Sequence, residues 1–228
     1  MILKILEEFL KEIERHNPYK LIAKGGTVLS VFYLNHHRES EDLDFDTTIK
    51  KEDYKKIESY LLGILSKLKE KGLIKSYSKG KSGLASTKRY HMKLEIETHK
   101  IYYTKIDVDF IKDVKNPNKK GELLIHNLER MFIGKCIAFM DRKEFKDIYD
   151  IYYILPKLNI STFKGNKNVI NMIDSLIETV NNEEIVILYK KAFRNIDLRF
   201  KDLKESNIKS FIFKLVNNLR TFKNKIEF

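Results

Sequence analysis

The sequence predicts an α+β half, a mixed sheet with flanking helices, followed by a C-terminal helical bundle. Three observations lead there. Short runs with alternating apolar and polar residues all lie before residue 111, which is strand periodicity. The stretch 112–121, KDVKNPNKKG, gathers a proline, a glycine and four lysines and marks the best boundary. Beyond residue 122 the apolar residues recur only at helical spacing. The expected division is therefore 1–115 for the sheet half and 122–228 for the bundle.

Along the first half, Ile2, Ile5, Leu6, Phe9, Leu10 and Ile13 follow a helical period that Asn17-Pro18 stops. A short strand is expected at Leu21 to Ala23, then the turn Gly25-Gly26, then a helix from Thr27 to about Leu34. A strand follows at Asp42-Leu43-Asp44-Phe45, with Asp46 at its end. Tyr54, Ile57, Leu61, Leu65 and Leu68 give a crossover helix over 52–71 that ends at Gly72. Further strands are expected at Leu73–Tyr77, Tyr90–Glu97 and Ile101–Phe110, the first two joined by a basic, small-residue loop, SKGKSGLASTKR. The GKS in that loop is not a phosphate-binding P-loop, because the glycine needed five residues before Gly80 is Lys75. In the second half, helices are expected near 122–141, 144–156, 167–180, 183–195 and 203–225.

At 228 residues, 43% hydrophobic and 33% charged, the chain can bury a sizeable core. No apolar run approaches the roughly 20 residues of a membrane span. The start, ILKILEEFLKEIERH, is amphipathic and partly acidic, unlike a signal peptide, so a cytoplasmic location and no membrane partner are expected. The single Cys136 excludes an internal disulfide and a cysteine-based zinc site, and the six histidines lack ligand spacing. The net charge of +12 suits a polyanionic partner. Lysine supplies 36 of the 44 basic residues, so part of this charge is ordinary solvated surface; the eight arginines, among them Arg38, Arg89 and Arg142, suit forked phosphate contacts better.

The chemistry concentrates in KGGTVLSVFYLNHHRESEDLDFD, residues 24–46. On a strand, Asp42 and Asp44 project from one face while Leu43 and Phe45 enter the core. Neighbouring carboxylates repel unless solvent or a cation neutralises them, and hard oxygen ligands with open positions suit Mg²⁺ bound together with a substrate's phosphates. Gly25 and Gly26 let the backbone approach a ligand, and Thr27 opens a helix whose N–H groups can receive phosphate. Ser40 either orients the Asp42–Asp44 strand through its hydroxyl or is a plain turn serine. A second alternating pair, Asp107 and Asp109, lies on a later strand. Either could be the third carboxylate of a metal site.

Glycines and a DxD pair in this order and at this distance resemble the signature of polymerase-β-type nucleotidyltransferases. LIAKGGTVLS, RESEDLDF and KCIAFMDRKEFKDIYDIYYI (135–154) extend the likeness to the AbiEii/AbiGii toxin family of nucleotidyltransferases over about two thirds of the chain. The resemblance implies a Mg²⁺-dependent NMP transferase, with Mn²⁺ as a substitute ion and NTP as substrate. It also implies an RNA acceptor, in several members the tRNA 3′ end, and an antitoxin partner. Asp42, Asp44 and Asp107 would hold the metal.

Lys135 and Arg142 lie two helical turns apart on one face, and Asp147 and Asp150 share a face of the next helix. These four are either a salt-bridge lattice or a nucleotide-binding set, and the KxxAxxxR…KDxxD likeness to the family favours the second reading for Lys135 and Asp147. Lys81, Thr87 and Arg89 resemble a Lys…TxR element that would contact the γ-phosphate or the acceptor. Tyr149, Tyr152 and Tyr153 read as core. A transferase acting on a small molecule or a protein, and a non-catalytic nucleic-acid- or partner-binding module, are the alternative functions.

Overall fold

A computed structural model of the chain describes residues 2–182, 187, 200 and 203–227. It divides into two compact units, Met1–Asn127 and Leu128–Phe228.

The first unit begins with helix α1 (Ile2–Arg15), whose Leu6, Phe9, Leu10 and Ile13 are buried. Each such side chain contributes about 1.5–3 kcal/mol on burial. Strand β1 (Ile22–Lys24) runs into helix α2 (Gly25–Val28), which widens into a π-helical turn over Leu29–Tyr33. Strand β2 (Leu43–Thr47), helix α3 (Tyr54–Glu70) and the meander β3 (Ser76–Ser86), β4 (Arg89–Glu97) and β5 (Ile101–Phe110) follow. Strands β6 (Asn118–Lys120) and β7 (Leu123–Ile125) close the unit.

All seven strands form one mixed sheet in the order β3-β4-β5-β2-β1-β7-β6. Central β2 pairs parallel with β5 and antiparallel with β1. The alternation of β2, β4 and β5 sends Leu43, Phe45, Ile106, Val108, Tyr90, Met92, Leu94 and Ile96 to the buried face. There Tyr90 donates to Glu58 of α3 at 2.7 Å. The opposite face of β2 and β5 carries the aspartates.

Two expectations from the sequence give way here. The presumed loop SKGKSGLASTKR is most of an 11-residue edge strand, β3. It lacks apolar alternation because much of it is solvated, and its ladder to β4 absorbs register shifts at Lys79/Ser82 and Leu84/Ser86. The helix expected from 122 starts only at Leu128, since Leu123–Ile125 is a strand paired parallel with β1. A three-residue apolar run has no period of its own, and the neighbouring strand decides its conformation.

The second unit contains α4 (Leu128–Arg142), α5 (Phe145–Ile154), α6 (Lys167–Asn181) and α7 (Ile208–Glu227). Phe132, Phe163 and Phe222 meet edge to face, and Tyr149 packs against Tyr153, Phe200 and Phe211. Tyr149 is therefore core, while Tyr152 and Tyr153 are half-buried beside it. The helix expected at 183–195 lies, apart from residue 187, outside the described residues. Among those residues no helix is long and apolar enough to cross a membrane.

Candidate active site

The parallel pairing of β2 with β5 sets Asp44 opposite Asp107 and Asp46 opposite Asp109. Asp42, just before β2, adds a fifth carboxylate to the same edge. Five acids on one sheet face would repel strongly in isolation, and the neighbouring strands supply cations in two distinct ways.

Asp46 and Asp109 are locked. Lys24, at the end of β1, donates to Asp46 and, at 2.7 Å, to Asp109. Arg89 grips Asp109 with two bonds of 2.6 and 2.9 Å, and His126 Nε2 lies 2.7 Å from Asp46. Burial alone would raise the pKa of both acids, but these partners prevail and hold both below the ordinary carboxylate value. Burial works equally against the Lys24 ammonium, yet Asp46 and Asp109 raise its pKa.

Asp42 and Asp107 are held more loosely. Lys105 Nζ lies 3.7 Å from Asp42 Oδ2 and 3.6 Å from Asp107 Oδ2, on a side chain that is 43% exposed. His91 Nδ1, from the residue opposite Asp107 on β4, lies 2.6 Å from its Oδ1. Asp44 sits against the glycine turn. Gly25 has φ +83°, and a Cβ there would collide with the Asp44 carboxylate. Only glycine meets both demands, the left-handed backbone and the close approach. A Cβ on Gly26 would strike the Arg38 guanidinium and stand 3.0 Å from Ser40 Oγ. Thr27 turns inward, its hydroxyl donating to the Asp42 carbonyl at 2.5 Å. The glycine pair, Thr27, Ser40, Asp42, Asp44 and Asp107 thus share one neighbourhood.

Among the described residues no group of three His, Cys, Asp or Glu side chains is gathered tightly enough to coordinate an ion as it stands. The donor chemistry nevertheless fits Mg²⁺: hard carboxylate oxygens on adjacent strands, Asp42 partly open to solvent and Asp107 buried, with the exposed Lys105 ammonium near both.

Of the remaining predicted residues, Arg89 is committed to Asp109, whereas Lys81 lies exposed on β3 and Thr87 in the β3–β4 turn. In the second unit Lys135, Arg142, Asp147 and Asp150 form one cluster between α4 and α5. Lys135 Nζ reaches Asp147 at 3.1 Å and Asp150 at 2.7 Å, and Arg142 forks onto Asp147 with two bonds of 2.8 Å. Both aspartates are fully buried. The four are thus ion-paired between the two helices, with the aspartates buried and the Arg142 side chain 40% exposed. Cys136 beside them is inert, since burial and the Asp147 charge push its thiol pKa up.

The profile of the family described as "Nucleotidyl transferase AbiEii toxin, Type IV TA system" matches residues 8–226. The chain belongs to the AbiEii family. It is accordingly a nucleotidyltransferase of a family defined in a toxin–antitoxin context. Among solved structures, JHP933 from Helicobacter pylori superposes with a TM-score of 0.70 at 17% identity, over 98% of this chain and 90% of that one. A putative nucleotidyltransferase from H. pylori gives 0.70 at 18%, over 98% and 93%. The nucleotidyltransferase toxin MenT4 from Mycobacterium tuberculosis gives 0.51 at 13%, over 99% and 87%. These likenesses show the fold. No curated protein matches the sequence.

Within this AbiEii chain, sequence reasoning missed Lys24, His91 and His126 as partners of the acids, and noted Lys105 only for the KxD pattern it forms with Asp107. Lys105 alone had a visible signal, two positions before Asp107 on the same strand face. His91 and His126 depend on strand pairing across the sheet, which no local pattern encodes.

Proposed function

We propose that this AbiEii enzyme transfers a nucleoside monophosphate from an NTP to a hydroxyl of an RNA acceptor, in the cytoplasm and under the control of an antitoxin. The observation that carries this reading is the register match of Asp44 with Asp107 beside a glycine turn built against the Asp44 carboxylate. Asp42, Asp44 and Asp107 would hold Mg²⁺, or Mn²⁺ in its place. When bound, the ion offsets charge on the phosphates and lowers the pKa of the attacking hydroxyl.

The chain's own groups do the rest. The turn at Gly25-Gly26 gives the triphosphate a close backbone approach, with Thr27 and Ser40 bracing the turn against Asp42 and Gly26. The acceptor oxygen attacks the α-phosphorus and the bond from that phosphorus to the β-bridging oxygen breaks, releasing pyrophosphate. The hydroxyl proton passes to Asp107, whose Oδ1 His91 keeps in place. Lys135, whose motif the family likeness assigns to nucleotide binding, is fixed within its own unit by Asp147 and Asp150, with Arg142 forking onto Asp147. The net charge of +12 supports a polyanionic acceptor, and Lys81 and Thr87 on the exposed β3–β4 hairpin are candidates to touch it.

Incubation with each labelled NTP, Mg²⁺ and total RNA, resolved on a gel, tests this reading. A labelled RNA band with one nucleotide is expected. Label on protein or small molecules alone would overturn the RNA acceptor, and no transfer with any NTP would overturn the site assignment.

A further inference from the structure

On the aspartate face of the sheet, Lys93 of β4 stands directly opposite Lys105 of β5. Like charges facing each other across two strands cost stability unless an anion lies between or beside them. Lys105 escapes by leaning onto Asp42 and Asp107. Lys93 is exposed and has no ion-pair partner among the described residues. Lys93 and Lys105 therefore share the sheet face that carries the acids, and Lys105 now neutralises carboxylates that a divalent ion would also claim.

We infer that Lys105 has two positions. In the unloaded protein it stands in for the divalent cation between Asp42 and Asp107. When the cation enters, repulsion expels the ammonium, which then joins Lys93 as a two-lysine clamp for the phosphates of the incoming nucleotide. The long, 43% exposed side chain and the bond lengths of 3.6 and 3.7 Å, beyond those of a tight charge-assisted hydrogen bond, suit a contact made to be exchanged. The contrast is Lys24, which is 27% exposed and holds Asp46 and Asp109 from a strand end at hydrogen-bonding distance. The inference rests on the assignment of Asp42 and Asp107 as ligands of a divalent ion.

The test measures Mn²⁺ binding without nucleotide, by water-proton relaxation, in the wild-type chain, Lys105→Met, Lys93→Met and Asp44→Asn. Removing the competing ammonium should tighten Mn²⁺ binding in Lys105→Met by roughly tenfold, about 1.4 kcal/mol. Lys93→Met should leave Mn²⁺ binding unchanged. Equilibrium dialysis with a non-hydrolysable NTP and Mn²⁺ should show either lysine variant losing several-fold in affinity for the triphosphate. Binding of the parent nucleoside should not change. Circular dichroism confirms that each variant is folded, and Lys105→Gln provides a second, polar replacement.

Mn²⁺ affinity that is unchanged or weaker in both Lys105 variants would overturn the stand-in role. Triphosphate affinity unchanged in Lys93→Met would overturn the clamp. If neither the wild-type chain nor any Lys105 variant binds Mn²⁺, the metal assignment itself falls and takes this inference with it, an outcome distinct from the other two.

Discussion

Asp44 with Asp107 and Asp46 with Asp109 are two neighbouring rungs of the same pair of strands, and they have opposite fates. Of the outer acids, Asp107 and the neighbouring Asp42 meet an exposed lysine, and Asp107 also meets a histidine. The inner rung is clasped by Lys24, Arg89 and His126. Residue type, strand and alternation are the same, so the difference lies in what the adjoining strands present. Gripped by protein cations at hydrogen-bonding distance, an acid pair becomes part of the scaffold. Five acids on one face are tolerable because Lys24, Arg89 and His126 neutralise the inner pair at hydrogen-bonding distance, while Asp42 and Asp107 meet Lys105 only at 3.6–3.7 Å.

The comparison breaks most sharply if the rungs can be exchanged. Asp44→Asn should lower nucleotide transfer by roughly 10³-fold, the upper range for losing one transition-state electrostatic contact, while the melting temperature stays level or rises as repulsion is relieved. Transfer near the wild-type rate would remove Asp44 from the site. Asp46→Asn should do the reverse. It strands Lys24 and His126 and should cost about 2–4 kcal/mol in urea unfolding, somewhat below the roughly 3–5 kcal/mol for breaking a fully buried pair, because Lys24 keeps some exposure. An Asp46→Asn protein as stable as wild type would show that the inner rung is not scaffold.

Acid titration sharpens the same contrast. Asp46 and Asp109 are held below their ordinary value of 3.8. Their contribution is complete above that pH and disappears as the pH falls through their depressed native values. Lys24, raised above 10.5, stays charged throughout that range. Unfolding followed from pH 5 to pH 2 should show this loss, with a shallower slope in Asp46→Asn. Equal slopes would mean that the pairs contribute nothing to folding.

The smallest expected effect separates Arg89 from Lys81. Reversal of the exposed Lys81 to Glu should reduce the log–log salt slope of RNA binding by about 0.7–0.9 and leave stability unchanged, the signature of one phosphate contact. Arg89→Ala, by contrast, should register mainly as lost stability, because its fork belongs to Asp109. A salt-insensitive interaction would mark the +12 charge as solvated surface.

How much of this was legible in the chain varies from residue to residue. The buried helical face of α1 and the alternation in β2, β4 and β5 were visible because each repeats a local period that burial enforces. The glycine pair and the DxD were visible because only glycine and carboxylate suit such a place. The β3 strand was hidden, since a solvated edge needs no apolar pattern, and β7 was hidden because three residues are too few to show a period. For Lys135, Arg142, Asp147 and Asp150 the spacing showed shared helix faces, but not the complete burial of both aspartates.

By itself, the sequence determined the periodicities, and with them the sheet half, the helical half and the two alternating acid pairs. Its motifs were enough to point to the AbiEii family. Only the tertiary structure decided which acids Lys24, Arg89 and His126 clasp. Whether Asp107 or Asp109 pairs with the glycine-backed Asp44 depends on the register between β2 and β5, and whether an acid is already neutralised depends on cations from β1, β4 and the segment after β7. Those partners lie between 16 and 85 residues away in the chain. Local propensity acts over a few residues, whereas Coulomb energy acts across whatever strands the fold brings side by side.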